Sequence, residues 1–126
     1  MDALFIEGAE DVPQIALDKS KGIFEFEGKS LPEDVISFYS PVFKWSEEYV
    51  KDPNPITEVK MKISYYNSAS QRAINEFFTI IKKAELRNSK VTIHWFYDED
   101  DEEMLESGEE FADITKLKFN YISYQP

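Results

Sequence analysis

Hydroxyl and amide side chains are concentrated in one short segment, Asn67–Gln71, which lies between an alternating stretch and an amphipathic one. The spacing Ser68-x-x-Gln71 fits a capping box, in which the Ser68 hydroxyl accepts a hydrogen bond from the first turn of a helix and Gln71 reaches back. Such a cap contributes about 1 kcal/mol and explains both residues without any further function. A second interpretation is that Ser68 accepts a phosphate, because unpaired amides and the helix dipole tolerate negative charge at a helix N-terminus.

A second group of reactive side chains is the acidic tract Asp98–Glu103. Ten carboxylates and no lysine or arginine lie between Asp98 and Asp113, so the net charge of −11 is carried almost entirely by this part of the chain. The tract lacks the spacing and the internal glycine of a calcium-binding loop. Three interpretations remain: a solvated loop that leads acidic residues into a helix N-terminus, a partner-recognition surface, or a divalent-metal site. We favour the first and expect no bound metal and no cofactor.

The composition excludes several classes of site. There is no cysteine and only one histidine, His94, so thiolate zinc sites, disulfides, cysteine nucleophiles and histidine-rich metal centres are ruled out. His94 lies on the polar side of a predicted strand and is interpreted as an ordinary exposed histidine. Nucleic acid is disfavoured as a partner because phosphate binding requires clustered lysine and arginine. The apolar runs are too short for a membrane span and the N-terminus lacks signal-peptide character, so we expect a cytoplasmic protein.

The positions of these residues depend on the strands around them. Three stretches alternate apolar and polar residues with a period of two and are predicted to be strands: residues 57–67, 90–97 and 116–121. Weaker strands are predicted at 3–7, at 14–18 and around Phe24 and Phe26. In the first of the three stretches, the inward residues are predicted to be Val59, Met61, Ile63 and Tyr65.

Helices are predicted between or before these strands. Residues 68–87 carry one apolar stripe, with spacings of three and four, formed by Ile74, Phe77, Phe78 and Ile81. A similar stripe in residues 33–51 is interrupted by Pro41, which predicts a kinked helix or two short helices that share a face. A third helix is predicted around 102–112, although Gly108 weakens it.

Alternating strands and helices indicate parallel neighbouring strands joined by right-handed crossovers. Because the strands alternate rather than being apolar throughout, the helices are expected to cover only one face of the sheet. The prediction is therefore an α/β two-layer sandwich, formed by the single domain 1–126, with a mixed sheet of five or six strands. Ser68 is expected to begin the second long helix, and the opposite sheet face is expected to present Lys60, Lys62, Thr92, His94 and Lys118 to solvent.

The chain also resembles a known family over most of its length, from about residue 13 to 122. The resemblance is carried by Gly28–Glu33, by Phe38–Tyr49, by Tyr66–Ser70 and by Trp95–Asp98 leading into Glu109–Phe111. These segments are similar to the SiaC-type family of bacterial regulatory phosphoproteins. The resemblance implies a fold similar to that of anti-sigma-factor antagonists, the STAS fold, and no enzymatic activity.

The same resemblance implies a regulatory mechanism. A dedicated Ser/Thr kinase and a metal-dependent phosphatase would act on Ser68, which follows Asn67 as the phosphoacceptor does in the family. The unphosphorylated protein would bind a target such as a diguanylate cyclase through Asn67, Ser68, Ser70 and Gln71. Serine stands here where threonine is common, and Ala69 replaces a hydroxyl residue. Two alternatives stay open, namely an anti-sigma-factor antagonist in a partner-switching system and a small metal-dependent enzyme.

Overall fold

The structure, a computed structural model, describes all 126 residues and contains six strands, three α-helices and one short 3-10 helix. The strands are β1 (Leu4–Ile6), β2 (Gln14–Asp18), β3 (Ile23–Ser30), β4 (Ile56–Tyr66), β5 (Lys90–Asp98) and β6 (Lys118–Tyr124). The α-helices are α1 (Val35–Tyr49), α2 (Ser68–Lys82) and α3 (Glu102–Thr115), and the 3-10 helix Lys83–Arg87 follows α2 directly.

The six strands form one mixed sheet in which the spatial order, β1-β2-β3-β4-β5-β6, is also the order along the chain. The first three strands are antiparallel neighbours, and the connections between them contain no helix. The last four strands run parallel. Each connection from β3 to β6 contains a helix, which returns the chain to the end of the sheet where the previous strand began. The predicted mixed sheet is confirmed, with six strands.

The three helices pack on one face of the sheet and bury a core rich in aromatic residues. Its largest fully buried side chains include Trp95, Tyr39, Tyr49, Phe24, Phe26, Phe77 and Phe78. The predicted two-layer sandwich is therefore confirmed. None of the three helices combines the length and the apolar character that are needed to cross a bilayer.

The opposite face of the sheet is open and carries the polar side chains predicted for it. Lys60 and Lys118 are exposed there, whereas Lys62, Thr92 and His94 are half-buried. The interpretation of His94 as an ordinary exposed residue is wrong, because its side chain is only 19% exposed and bonded on both ring nitrogens. The Asn120 amide donates to Nδ1 at 3.1 Å, and Nε2–H donates to Glu58 Oε1 at 2.8 Å.

Strand β4 departs from the predicted alternation at its C-terminal end. Its register against β3 shifts by one residue, since Gly28 pairs with Ile63 but Lys29 pairs with Tyr65. The extra residue turns Tyr65 outward, where it is 55% exposed, and places Tyr66 on the helix side instead. The prediction that Tyr65 faces the core is therefore wrong.

The helices differ from their predicted bounds in three places. Helix α1 continues through Pro41 as a single helix, and α2 ends at Lys82, before the 3-10 turn. Helix α3 extends three residues beyond its predicted end, to Thr115. Gly108 does not interrupt it, because this glycine packs on the Trp95 indole: a Cβ there would lie 2.6 Å from Trp95 Nε1.

Candidate functional site

The candidate site lies at the C-terminal ends of the parallel strands. Strand β3 ends at Ser30 and β4 ends beside it at Tyr66, and these two residues pair in the sheet. A single residue, Asn67, separates β4 from helix α2, so Ser68 occupies the first helical position. The predicted start of the second long helix at Ser68 is confirmed.

The helix is capped by Asn67 rather than by Ser68. Asn67 has an extended backbone (φ −92°, ψ 177°), and its Oδ1 accepts a hydrogen bond from the Ser70 N–H at 2.9 Å. Its carbonyl oxygen accepts the Gln71 N–H, also at 2.9 Å. The predicted capping box between Ser68 and Gln71 is therefore wrong by one residue. Asn67 was the available signal, since asparagine caps helices as well as serine does.

This arrangement leaves the Ser68 side chain free. Ser68 is exposed, and its hydroxyl forms no hydrogen bond with another protein group. The N–H groups of Ser68 and Ala69 precede the first bonded amides of the helix and are also unpaired. An accessible hydroxyl beside free N–H groups at the positive end of a helix is chemically suited to carry a phosphate.

Ser70 points in the opposite direction and is fully buried. Its hydroxyl donates to the Ser30 carbonyl oxygen at 2.8 Å and accepts from the Ser30 hydroxyl at 2.9 Å. The Ser30 hydroxyl also lies 2.6 Å from the Tyr39 hydroxyl on α1. Burial raises the pKa of Tyr39 to about 12. The expectation that Ser70 contacts a partner is wrong, because this side chain joins α2 to the end of β3 and to α1 inside the protein.

Gln71 is exposed and borders a cleft between α2 and α3. The cleft has a volume of about 210 Å³ and is also lined by Arg72, Asn75, Ser107, Glu110, Phe111 and Ile114. The nearby Tyr66 hydroxyl is buried beside Ser107, but no hydrogen bond of normal geometry joins them. Burial, followed by the negative charges of Glu110 and Asp101, raises the pKa of Tyr66. Asn67, Ser68 and Gln71 are thus all exposed at the start of α2, whereas Ser70 is buried.

The acidic tract forms the turn between β5 and α3. Asp98 Oδ1 accepts the Asp100 N–H at 2.9 Å, and Asp101 caps α3 by accepting the Met104 N–H at 3.0 Å. Glu102 and Glu103 occupy the first turn of that helix. No group of three or more carboxylates or imidazoles converges into an arrangement that would hold a metal ion. The geometry is that of a solvated turn whose carboxylates stabilise a helix N-terminus.

Comparison with known proteins gives a consistent result. Residues 6–124 match the family described as SiaC family regulatory phosphoprotein. An uncharacterized protein of Pseudomonas aeruginosa strain UCBPP-PA14 is 27% identical over 119 residues, which cover 94% of each chain. SiaC of Pseudomonas aeruginosa has a similar structure, with a TM-score of 0.87 and 25% identity over 98% of this chain and 100% of that one. A crystal structure of the diguanylate cyclase SiaD in complex with its activator SiaC, from the same species, matches with a TM-score of 0.88 and 26% identity, over 96% of this chain and 99% of that one.

Proposed function

The chain belongs to the SiaC family of regulatory phosphoproteins, and from this premise we propose that it is a non-enzymatic regulator of a diguanylate cyclase. In this proposal the unphosphorylated protein binds and activates the cyclase, and a phosphate on Ser68 prevents binding. A Ser/Thr kinase adds the phosphate and a metal-dependent phosphatase removes it. The partner class is supported by the diguanylate cyclase complex of the SiaC protein from Pseudomonas aeruginosa.

The observation that supports Ser68 as the acceptor is the division of roles at the start of α2. Asn67 caps the helix and Ser70 anchors it internally, so neither contact requires the Ser68 hydroxyl. A phosphate on Ser68 therefore breaks no hydrogen bond of the folded domain. The free N–H groups of Ser68 and Ala69 stabilise its charge. The modification is expected to change the surface of the protein while leaving its fold intact.

The size of the charge accounts for the switch. A phosphate adds about −1.5 to −2 charges at neutral pH. On a docking surface formed by Asn67, Ser68 and Gln71, this charge must lose water or meet the partner's surface when the complex forms. Each loss of about 1.4 kcal/mol weakens binding tenfold, so a modest penalty dissociates a micromolar complex.

The decisive experiment compares variants of Ser68 in binding to the diguanylate cyclase of the same organism. Affinity is measured by calorimetry, and activation by the formation of cyclic di-GMP. Ser68→Ala should bind and activate like the wild type because the surface stays neutral. Ser68→Asp should bind more weakly by roughly tenfold or more, since its carboxylate imitates part of the phosphate charge.

Ser20→Asp is the matched control. Ser20 is exposed in the turn between β2 and β3, which lies at the other end of the strands from Ser68. The Ser20→Asp variant adds the same charge as Ser68→Asp. It should bind like the wild type. Equal binding by Ser68→Asp and the wild type would contradict the switch, and equal weakening by both aspartate variants would indicate a general charge effect. Mass spectrometry of protein purified from its own cells should detect phosphate on Ser68.

A further inference from the structure

The two edges of the sheet differ in how well they are protected. Strand β1 has three residues, and such a short edge offers little to another chain. Strand β6 has seven residues, contains no proline, and carries a single charged side chain, that of Lys118. It pairs with β5 on one side only, so alternate N–H and C=O groups along its other side face solvent. Strand β1 is thus protected from strand addition by its shortness, whereas β6 has only Lys118 to oppose it.

The helix beside this edge supplies a specific charge. The side of helix α3 that carries Ser107, Phe111 and Ile114 lines the cleft between α3 and α2. Glu109 and Asp113 are exposed and lie one turn apart, on the flank of α3 toward β6. Their nearness to β6 is also seen in Tyr121, whose pKa is raised by burial first and then by these two carboxylates. We call Glu109 and Asp113 the acidic flank.

We propose that β6 is a docking site for an extended, basic segment of a protein partner, which adds to the sheet as a seventh strand. Main-chain hydrogen bonds to β6 bind the segment, as in other complexes formed by strand addition. Because side chains alternate across a strand, every second residue of the segment faces the helix layer. Lysine or arginine at those positions lies against the acidic flank, which makes binding selective for basic sequences.

A second copy of the chain fits this edge poorly. Two β6 strands related by a two-fold axis would bring the two α3 helices side by side on the same face of the joined sheet. Each α3 carries six carboxylates and no lysine or arginine between Glu102 and Thr115. Like charges placed across an interface oppose association. The charge on this edge therefore selects a basic partner.

A synthetic peptide tests the proposal on the intact protein. The probe is an end-capped nonapeptide that alternates lysine with valine, and hydrogen–deuterium exchange of the β6 amides is the measurement. Binding should slow exchange of the outward β6 amides by roughly tenfold or more at saturation, because they acquire hydrogen-bond partners. Two control peptides carry glutamate in place of lysine or N-methyl groups on alternate amides, and neither should protect β6.

Two double variants of the protein complete the test. Glu109→Lys with Asp113→Lys should weaken the lysine peptide by roughly tenfold or more. Glu47→Lys with Glu48→Lys makes the same charge change on exposed residues of α1 and should leave binding unchanged. The proposal is overturned if no peptide protects β6, if the N-methylated peptide binds equally well, or if both double variants behave alike. Protection of β6 by self-association, detected by sedimentation without peptide, overturns it as well. The site does not depend on Ser68, so Ser68→Asp should bind the peptide like the wild type.

Discussion

At the scale of single residues, the start of α2 combines three neighbouring side chains with different surroundings. Asn67 accepts the Ser70 N–H, Ser68 faces solvent, and the Ser70 hydroxyl is bonded to Ser30 inside the protein. Asn67 and Ser70 thus stabilise the start of the helix, while Ser68 is the accessible residue. A modification of Ser68 can alter recognition without removing a contact on which folding depends.

The first prediction separates capping from signalling. Asn67→Ala should lower the free energy of unfolding by about 1 kcal/mol because the Ser70 N–H loses its acceptor. Ser68→Ala should change it by less than about 0.5 kcal/mol, as expected for an exposed residue without side-chain contacts. Urea unfolding of the two variants measures both values. A larger loss for Ser68→Ala than for Asn67→Ala would contradict the assigned cap.

The second prediction concerns pH. Burial raises the pKa of Tyr39 from 10.0 to about 12, so above pH 10 the unfolded chain releases a proton that the folded chain retains. Stability should therefore fall as the pH rises from about 10 to about 12, and Tyr39 should account for up to about 3 kcal/mol of that fall.

Tyr39→Phe provides the measurement for this effect. At neutral pH the variant should lose about 1 kcal/mol, because the Ser30 hydroxyl loses one partner. Above pH 10 its stability should decline less steeply than that of the wild type in urea unfolding. Tyr65→Phe, at an exposed position, should follow the wild-type profile. Parallel profiles for the wild type and Tyr39→Phe would contradict the role of the buried hydroxyl.

The sequence predicted where β4 gives way to α2, but not the roles of the residues at that junction. The junction around Ser68 was recognisable because a period-two stretch changes there into a helical stripe. Asparagine and serine cap helices about equally well, so the sequence located the cap only to within one residue. The inward direction of Ser70 depends on its bonds to Ser30, forty positions earlier in the chain, and local spacing carries no information about that contact.

At the scale of the elements, two tight contacts explain where the sequence pattern fails. Gly28, where the register of β4 shifts, has φ +124° and lies against Pro13, since a Cβ there would be 3.3 Å from the Pro13 Cα. The direction of Tyr65 is set by this shift, which involves a neighbouring strand. Alternation within β4 alone predicted Val59, Met61 and Ile63 correctly and could not predict the reversal that follows.

The third prediction concerns the other tight contact, between Gly108 and Trp95. Alanine would gain about 1 kcal/mol in helix propensity over glycine. Its Cβ would lie 2.6 Å from Trp95 Nε1 and would disturb the hydrogen bond from that nitrogen to the Met104 carbonyl oxygen. The clash and the lost bond outweigh the gain, so Gly108→Ala should destabilise the protein by about 1–3 kcal/mol.

Thermal unfolding together with tryptophan fluorescence checks this effect. Glu106→Ala is the control, because Glu106 is an exposed residue of the same helix. Its stability should stay within about 0.5 kcal/mol of the wild-type value. A Gly108→Ala protein as stable as the wild type would show that α3 can move away from the sheet at little cost.

At the scale of the whole molecule, charge is unevenly distributed. The chain has 25 acidic and 14 basic residues, and ten of the acidic ones lie between Asp98 and Asp113, along the turn before α3 and along α3 itself. The remaining surface is close to neutral. One side of the protein is therefore strongly negative, which favours approach of basic partners and opposes association of identical copies.

The fourth prediction is that the acidic turn holds no structural metal. Magnesium or calcium should raise the melting temperature no more than sodium chloride at the same ionic strength, because only screening of the carboxylates would act. EDTA should leave the melting temperature unchanged. A rise that saturates at micromolar metal would contradict this expectation, since a ligand that binds only the native state must stabilise it.

The identity of strand order and chain order has a consequence for how the protein folds. Every strand pairs with the strand that precedes it, and the longest segment between paired strands is one helix with its loops. The entropic cost of closing the loop between each pair of strands is therefore small. Because of this, folding is expected to be fast for a sheet that contains four parallel strands. During synthesis the sheet can grow outward from β1 as each helix and strand leave the ribosome. Strand β6 is added last. The edge strand proposed to bind a partner is therefore also the last strand to join the sheet during synthesis.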